Sequence, residues 1–177
     1  MSATTPTLGF IGLGIMGTPM CLHLIEAGHA MSVHTRGALP PAIAAAGATA
    51  CDSARAVAEA SDIVFLMLPD TPDVEAVLFA ERGVASGLRR GAVVVDMSSV
   101  SPVATKDFAR RIEALGGHYL DAPVSGGELG AKNATLSIMA GGDEAVFDRV
   151  RPLFERMGRN ITLVGGNGDG QTAKVAN

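Results

Sequence analysis

Tryptophan is absent from the 177 residues, tyrosine occurs once, and only six phenylalanines are present. A core must therefore be filled by Ala, Val, Leu, Ile, Met and Gly, which suits helices layered on buried strands. Basic clusters are missing too: 14 Lys and Arg against 18 Asp and Glu leave a net charge of −4. That balance argues against nucleic acid or an anionic membrane as partner, and any bound phosphate must be held by local geometry. The longest purely apolar run is Ile63 to Leu68, far short of a membrane span. The opening MSATTPT has neither the basic nor the apolar part of a secretory leader. A cytoplasmic protein is the expectation. Two cysteines, Cys21 and Cys51, have no Cys or His neighbour at metal-ligand spacing. They read as small buried hydrophobes in a reducing compartment, and no metal site is expected.

Short β-prone runs alternate with helical patterns along the whole chain. Strands are expected at Leu8–Ile11, Met31–His34, Ile63–Met67, Val93–Asp96, Leu136–Ala140 and Ile161–Val164, with a further one before Asp121. Several are continuous and branched, as strands buried on both faces are. Helices are expected at Met16–Ala27, Ser53–Ala60, Val74–Ala80, Pro102–Leu115 and Glu144–Met157, with Ser53, Ser101 and Asp143 as N-caps. The alanine-rich stretch from Gly37 to Ala60 breaks into helical pieces. This alternation predicts an α/β fold: a Rossmann-type, doubly wound, mostly parallel sheet.

Between the first strand and helix lies Gly12-Leu13-Gly14-Ile15-Met16-Gly17. With 22 glycines in the chain, a G-x-G-x-x-G match alone is weak, but its place between strand and helix strengthens it. The first glycine permits a tight turn, the second lets a pyrophosphate approach the backbone, and the third lets helix and strand pack closely. The second strand ends in His34-Thr35-Arg36-Gly37. No carboxylate stands there to accept ribose hydroxyls, whereas an arginine can fork onto a 2′-phosphate. NADP(H) is therefore favoured over NAD(H), which stays open. Met67-Leu68-Pro69 and Asp96-Met97-Ser98-Ser99 fall at carboxyl ends of strands, where ligands sit in such sheets.

Two later segments carry candidate chemistry. In Asp121-Ala122-Pro123-Val124-Ser125-Gly126-Gly127, backbone N–H groups freed by paired glycines and the Ser125 hydroxyl could converge on a carboxylate. The equally open reading is an ordinary glycine loop. Near the end, Lys174 and Asn177 are three residues apart in a helix-compatible run. They share a face there, where an ammonium could donate a proton to a carbonyl oxygen. A solvated surface lysine is the alternative.

Taken in order, GFIGLGIMGTPM, MLPDTPDV, VVVDMSSVSP, DAPVSGGELGAKNATLSIMAGGD and GNGDGQTAKVAN resemble the 3-hydroxyisobutyrate dehydrogenase, or β-hydroxyacid dehydrogenase, family. DMSSVSP and DAPVSGGE are most similar to members acting on tartronate semialdehyde. The resemblance implies NADP(H)-dependent reduction of a small semialdehyde acid to a hydroxy acid, with tartronate semialdehyde to glycerate as the leading case. It implies Gly12–Gly17 on the pyrophosphate, Thr35 and Arg36 on the adenosine ribose, and Met67, Leu68, Pro69, Asp73 and Ser99 along the rest of the cofactor. Ser125, Gly126 and Gly127 would hold the substrate carboxylate, Lys174 would be the general acid, and Asn177 would orient the substrate. It also implies homo-oligomers, and a C-terminal all-helical domain that lies outside this sequence. The 177 residues would then be the dinucleotide-binding domain, ending at the start of the interdomain helix. The alternative is a non-catalytic dinucleotide-binding module or a fragment that is inactive alone. His23 replaces the family's usual asparagine and reads as a packing or hydrogen-bonding change.

Overall fold

The computed structural model describes residues 5–177. Residues 1–4, on which the reading of the amino terminus partly rests, lie outside the described residues. The chain alternates strand and helix in the order β1 (Leu8–Ile11), α1 (Gly17–Glu26), β2 (Met31–His34), α2 (Pro41–Ala45), β3 (Thr49–Ala50), α3 (Ala54–Glu59), β4 (Ile63–Leu66) and α4 (Thr71–Phe79). There follow β5 (Val93–Asp96), α5 (Pro102–Ala114), β6 (His118–Asp121), β7 (Val124–Ser125), α6 (Gly127–Lys132), β8 (Leu136–Gly141), α7 (Glu144–Phe154), β9 (Gly158–Gly165) and α8 (Asp169–Ala176).

One sheet runs β3-β2-β1-β4-β5-β6-β8-β7, with β9 on β8. From β3 to β6 every neighbour is parallel. This is the doubly wound arrangement that the alternation implied: the order reverses beside β1, opening a crevice at the carboxyl ends of β1 and β4. β8 departs from the parallel rule, pairing antiparallel with β6 and β7 and parallel with β9.

Period-two alternation divides the core. Ile63 and Phe65 of β4 and Val93 and Val95 of β5 face one apolar layer with Met20, Cys21 and Leu24 of α1 and Val150 of α7. Val64, Leu66 and Val94 face the other, with Val57 of α3, Leu78 of α4 and Ile112 of α5. Each such side chain fully removed from water contributes about 1.5–3 kcal/mol before entropy is counted. The central strands must therefore be apolar on both faces, which is why they were legible as continuous runs.

The expected caps are present: Ser53, Ser101 and Asp143 accept the N–H groups of Ala56, Ala104 and Val146. Several boundaries differ from expectation. α4 begins at Thr71 rather than Val74, because the Asp70 carboxylate accepts the Thr71 N–H at 2.7 Å and Pro72 suits the first turn. α7 stops at Phe154, short of Met157, and β9 runs from Gly158, three residues ahead of Ile161. Within the alanine-rich stretch a two-residue strand, β3, pairs with β2. Cys21 is buried as expected, whereas Cys51 is only half-buried, and both are free thiols. His23 ties α1 to α6, its Nε2 lying 2.9 Å from the Ala131 carbonyl and 3.1 Å from that of Lys132. Among the described residues no helix is long and apolar enough to cross a membrane, and no cluster of His, Cys, Asp and Glu could hold a metal ion.

Candidate dinucleotide and substrate site

The carboxyl ends of β1, β2 and β4 open into a cleft of about 720 Å³. Gly12 through Gly17 form its floor. Gly12 takes φ +100°, and a side chain there would strike the Met67 carbonyl of the neighbouring strand end. A side chain on Gly17 would collide with the Gly12 carbonyl. Gly14 differs, because a methyl group there meets nothing within 4 Å and would project into open space. Thr18 shapes the loop, its N–H donating to the Gly14 carbonyl at 3.0 Å and its hydroxyl to that of Leu13 at 2.9 Å. No side chain caps α1 and no acidic residue sits in its first turn. The orphan N–H groups at its start thus suit an anion.

Thr35 and Arg36 close one wall of this cleft, and Met67, Leu68, Pro69 and Asp73 line another. The Arg36 guanidinium lies 3.4 Å from the Asp73 carboxylate, with the arginine side chain largely in solvent. Two further lining residues, Asp52 and Arg82, form a second ion pair at 3.1 Å. Neither carried a sequence signal: Asp52 follows a strand too short to detect, and Arg82 sits in a turn. Ser99 lies outside the lining of this cleft and is exposed.

Its neighbour Ser98 is buried and accepts the Leu68 N–H at 2.8 Å. From there a polar network crosses the sheet edge. Ser98 donates its own N–H to Asp96 Oδ1 at 3.0 Å, and the Tyr119 hydroxyl donates to Asp96 Oδ2 at 3.2 Å. Gln171 of α8, almost wholly buried, donates Nε2 to the Ser98 carbonyl at 2.7 Å and accepts the Val100 N–H at 3.0 Å. Asp121, the partner of Asp96 across β5 and β6, accepts the N–H groups of Gly168 at 2.9 Å and Gln171 at 3.1 Å. It thereby supplies a carboxylate to the start of α8, where the helix dipole favours one. Burial pushes the Asp96 carboxyl up to about 6, against the opposing hydrogen bonds of Ser98 and Tyr119. Burial likewise raises Asp121, which the Gly168 and Gln171 N–H groups draw back down.

The substrate candidates lie outside the cleft lining. Ser125 on β7 is partly buried and pairs with Ser137 of β8. Gly126 and Gly127, at φ +135° and +63°, turn the chain into α6 in a region closed to most side chains. Lys174 is half-buried, one helical turn beyond Gln171, and takes no ion pair among the described residues. Asn177 is exposed just past α8, its N–H on the Lys174 carbonyl at 3.3 Å. The shared support is β8: Ser125 pairs at Ser137, and Gly170 packs against the Met139 carbonyl two residues further on.

Residues 7–166 match the family model described as the NAD binding domain of 6-phosphogluconate dehydrogenase. The chain is 63% identical over 170 residues to 2-hydroxy-3-oxopropionate reductase of Escherichia coli, covering 96% of this chain and 58% of that protein. Among solved structures, 3-hydroxyisobutyrate dehydrogenase of Mycobacterium tuberculosis with L-serine superposes with a TM-score of 0.90 at 36% identity, covering 98% of this chain and 59% of that one. A protein named Psf3, in complex with NADP+ and 2-OPP, gives a TM-score of 0.90 at 29% identity, covering 97% and 61%. The chain thus spans somewhat over half the length of the relatives it matches.

Proposed function

The chain belongs to the family of NAD binding domains of 6-phosphogluconate dehydrogenase, and from that premise we propose that it serves an NADP(H)-preferring reductase of small semialdehyde acids. Tartronate semialdehyde, giving glycerate, is the first substrate to test, since 2-hydroxy-3-oxopropionate reductase is a 63% identical relative. The observation that carries the reading is the continuous path from the cofactor cleft to the lysine helix. Leu68 at the cleft wall donates to Ser98, and Ser98 accepts from Gln171, one turn ahead of Lys174.

The cleft fits a dinucleotide: its floor is an uncapped helix start, and Gly14 leaves the approach to the backbone clear. A nicotinamide held there would supply hydride chemistry towards a carbonyl carbon. In this reading the Lys174 ammonium gives the proton to the carbonyl oxygen, so the aldehyde gains one hydride and one proton and leaves as the alcohol. The Ser125 hydroxyl and the N–H groups of Gly126 and Gly127 hold the substrate carboxylate, and Asn177 orients the carbonyl.

The test is a steady-state assay with NADPH and NADH against tartronate, succinate and methylmalonate semialdehydes. Oxidation of NADPH with tartronate semialdehyde, faster than with NADH or with the other two acids, supports the proposal. Tight dinucleotide binding without turnover of any semialdehyde would replace it with a non-catalytic binding module.

A further inference from the structure

The cofactor cleft contains a second cation, Arg82, in the turn after α4. Its Nη2 lies 3.1 Å from Asp52 Oδ2, and its own carbonyl accepts the Arg55 N–H at 2.9 Å, fixing the turn against α3. Asp52 stands just past β3. That strand runs parallel to β2 with Val33 opposite Ala50, and the Cys51 N–H still reaches the Val33 carbonyl at 2.8 Å. Asp52 follows in the bend past β3 and lines the same cleft as Thr35 and Arg36, just past β2. Two guanidinium forks therefore line this one cleft, each held by a carboxylate: Arg36 by Asp73 and Arg82 by Asp52.

We infer that Arg82 joins Arg36 in recognising a phosphate monoester on the ribose 2′-oxygen, while Asp52 competes with that phosphate for Arg82. The inference rests on the dinucleotide reading above and goes beyond it, assigning cofactor choice to a residue pair outside the loop and strand-end motifs. The four charges sum to zero. A ribose with free hydroxyls adds none, so the pairs have little reason to part. A 2′-phosphate brings nearly two negative charges and three strong acceptors. Both arginine side chains are more than half exposed, Arg82 at 62% and Arg36 at 83%. Exposed pairs of this kind are weak, so either fork is free to turn to a phosphate, which it binds through charge-assisted, two-pronged hydrogen bonds. Once the forks have turned, Asp52 is left facing the dianion and opposes it.

Opposite signs for the two members of one ion pair are the signature. Titrations of the chain with NADPH and NADH, followed by nicotinamide fluorescence at low and moderate salt, read it directly. Arg82→Gln is expected to weaken NADPH about tenfold and leave NADH within about twofold. Asp52→Asn is expected to tighten NADPH about threefold, again sparing NADH. The NADPH effects should shrink as salt rises. If both substitutions weaken NADPH, or if each shifts NADPH and NADH alike, the pair is only a surface brace and the inference is overturned. If the unsubstituted protein binds neither nucleotide, the dinucleotide reading falls first and takes this inference with it.

Discussion

Gln171 and Ser98 are locked together across 73 residues of sequence, the glutamine Nε2 donating to the serine carbonyl at 2.7 Å in a site closed to water. The same side chain satisfies the Val100 N–H through Oε1. Two backbone groups in the segment between β5 and α5 thus depend on one residue of the lysine-bearing helix. Gln171→Leu fills similar volume but leaves both groups unpaired. A loss of about 2–6 kcal/mol in urea unfolding is expected, since each orphaned buried group costs about 1–3 kcal/mol. A change below about 0.5 kcal/mol would mean that α8 is not anchored in this way.

Asp96 gives the fold a pH dependence of unusual sign. Its carboxyl is raised from 3.8 to about 6 by burial, so the folded state keeps a proton that the unfolded chain has released. The stability it contributes is fully present below about pH 4 and is lost as pH rises towards 6. The full swing is about 3 kcal/mol, at 1.4 kcal/mol for each pH unit of displacement. Asp62, lowered chiefly by the Thr7 backbone hydrogen bond, works in the opposite direction, so the comparison must be differential. Unfolding free energy measured from pH 4 to 7 should fall more steeply in the unsubstituted protein than in Asp96→Asn. Parallel curves would refute the assignment.

In the proposed reaction, Lys174 has a chemical role rather than a binding one. Lys174→Ala should lower kcat for semialdehyde reduction by about 10²–10⁴-fold, with NADPH affinity and unfolding midpoint essentially unchanged. Retention of most of the turnover, measured by NADPH absorbance, would remove the residue from the chemistry.

Much of this architecture was readable in the amino acids, for identifiable reasons. β4 and β5 must be apolar on both faces, and Ile63–Leu66 and Val93–Val95 say so directly. The loop after β1 was readable because glycine spacing reports backbone demands. β3 was hidden, since its two residues are exposed and carry no burial pattern. Arg82 and Asp52 were hidden because only folding brings positions thirty apart into contact. Ser98 and Ser99 are chemically identical in the sequence, and only the structure separates the buried network member from the exposed one. Gln171 sits among residues that draw the eye for other reasons, and its burial follows from how α8 docks.

The most direct examination of the central claim, that backbone amides at the start of α1 clasp a nucleotide pyrophosphate, is one comparison of NADPH affinity between the unsubstituted chain and Gly14→Ala. A methyl group at Gly14 touches no atom of the described residues within 4 Å, so the unfolding midpoint should barely move. In the proposed binding mode it would stand where the pyrophosphate comes closest, and affinity should fall by more than about tenfold. Equal NADPH affinity in the two proteins, both properly folded, would contradict the account.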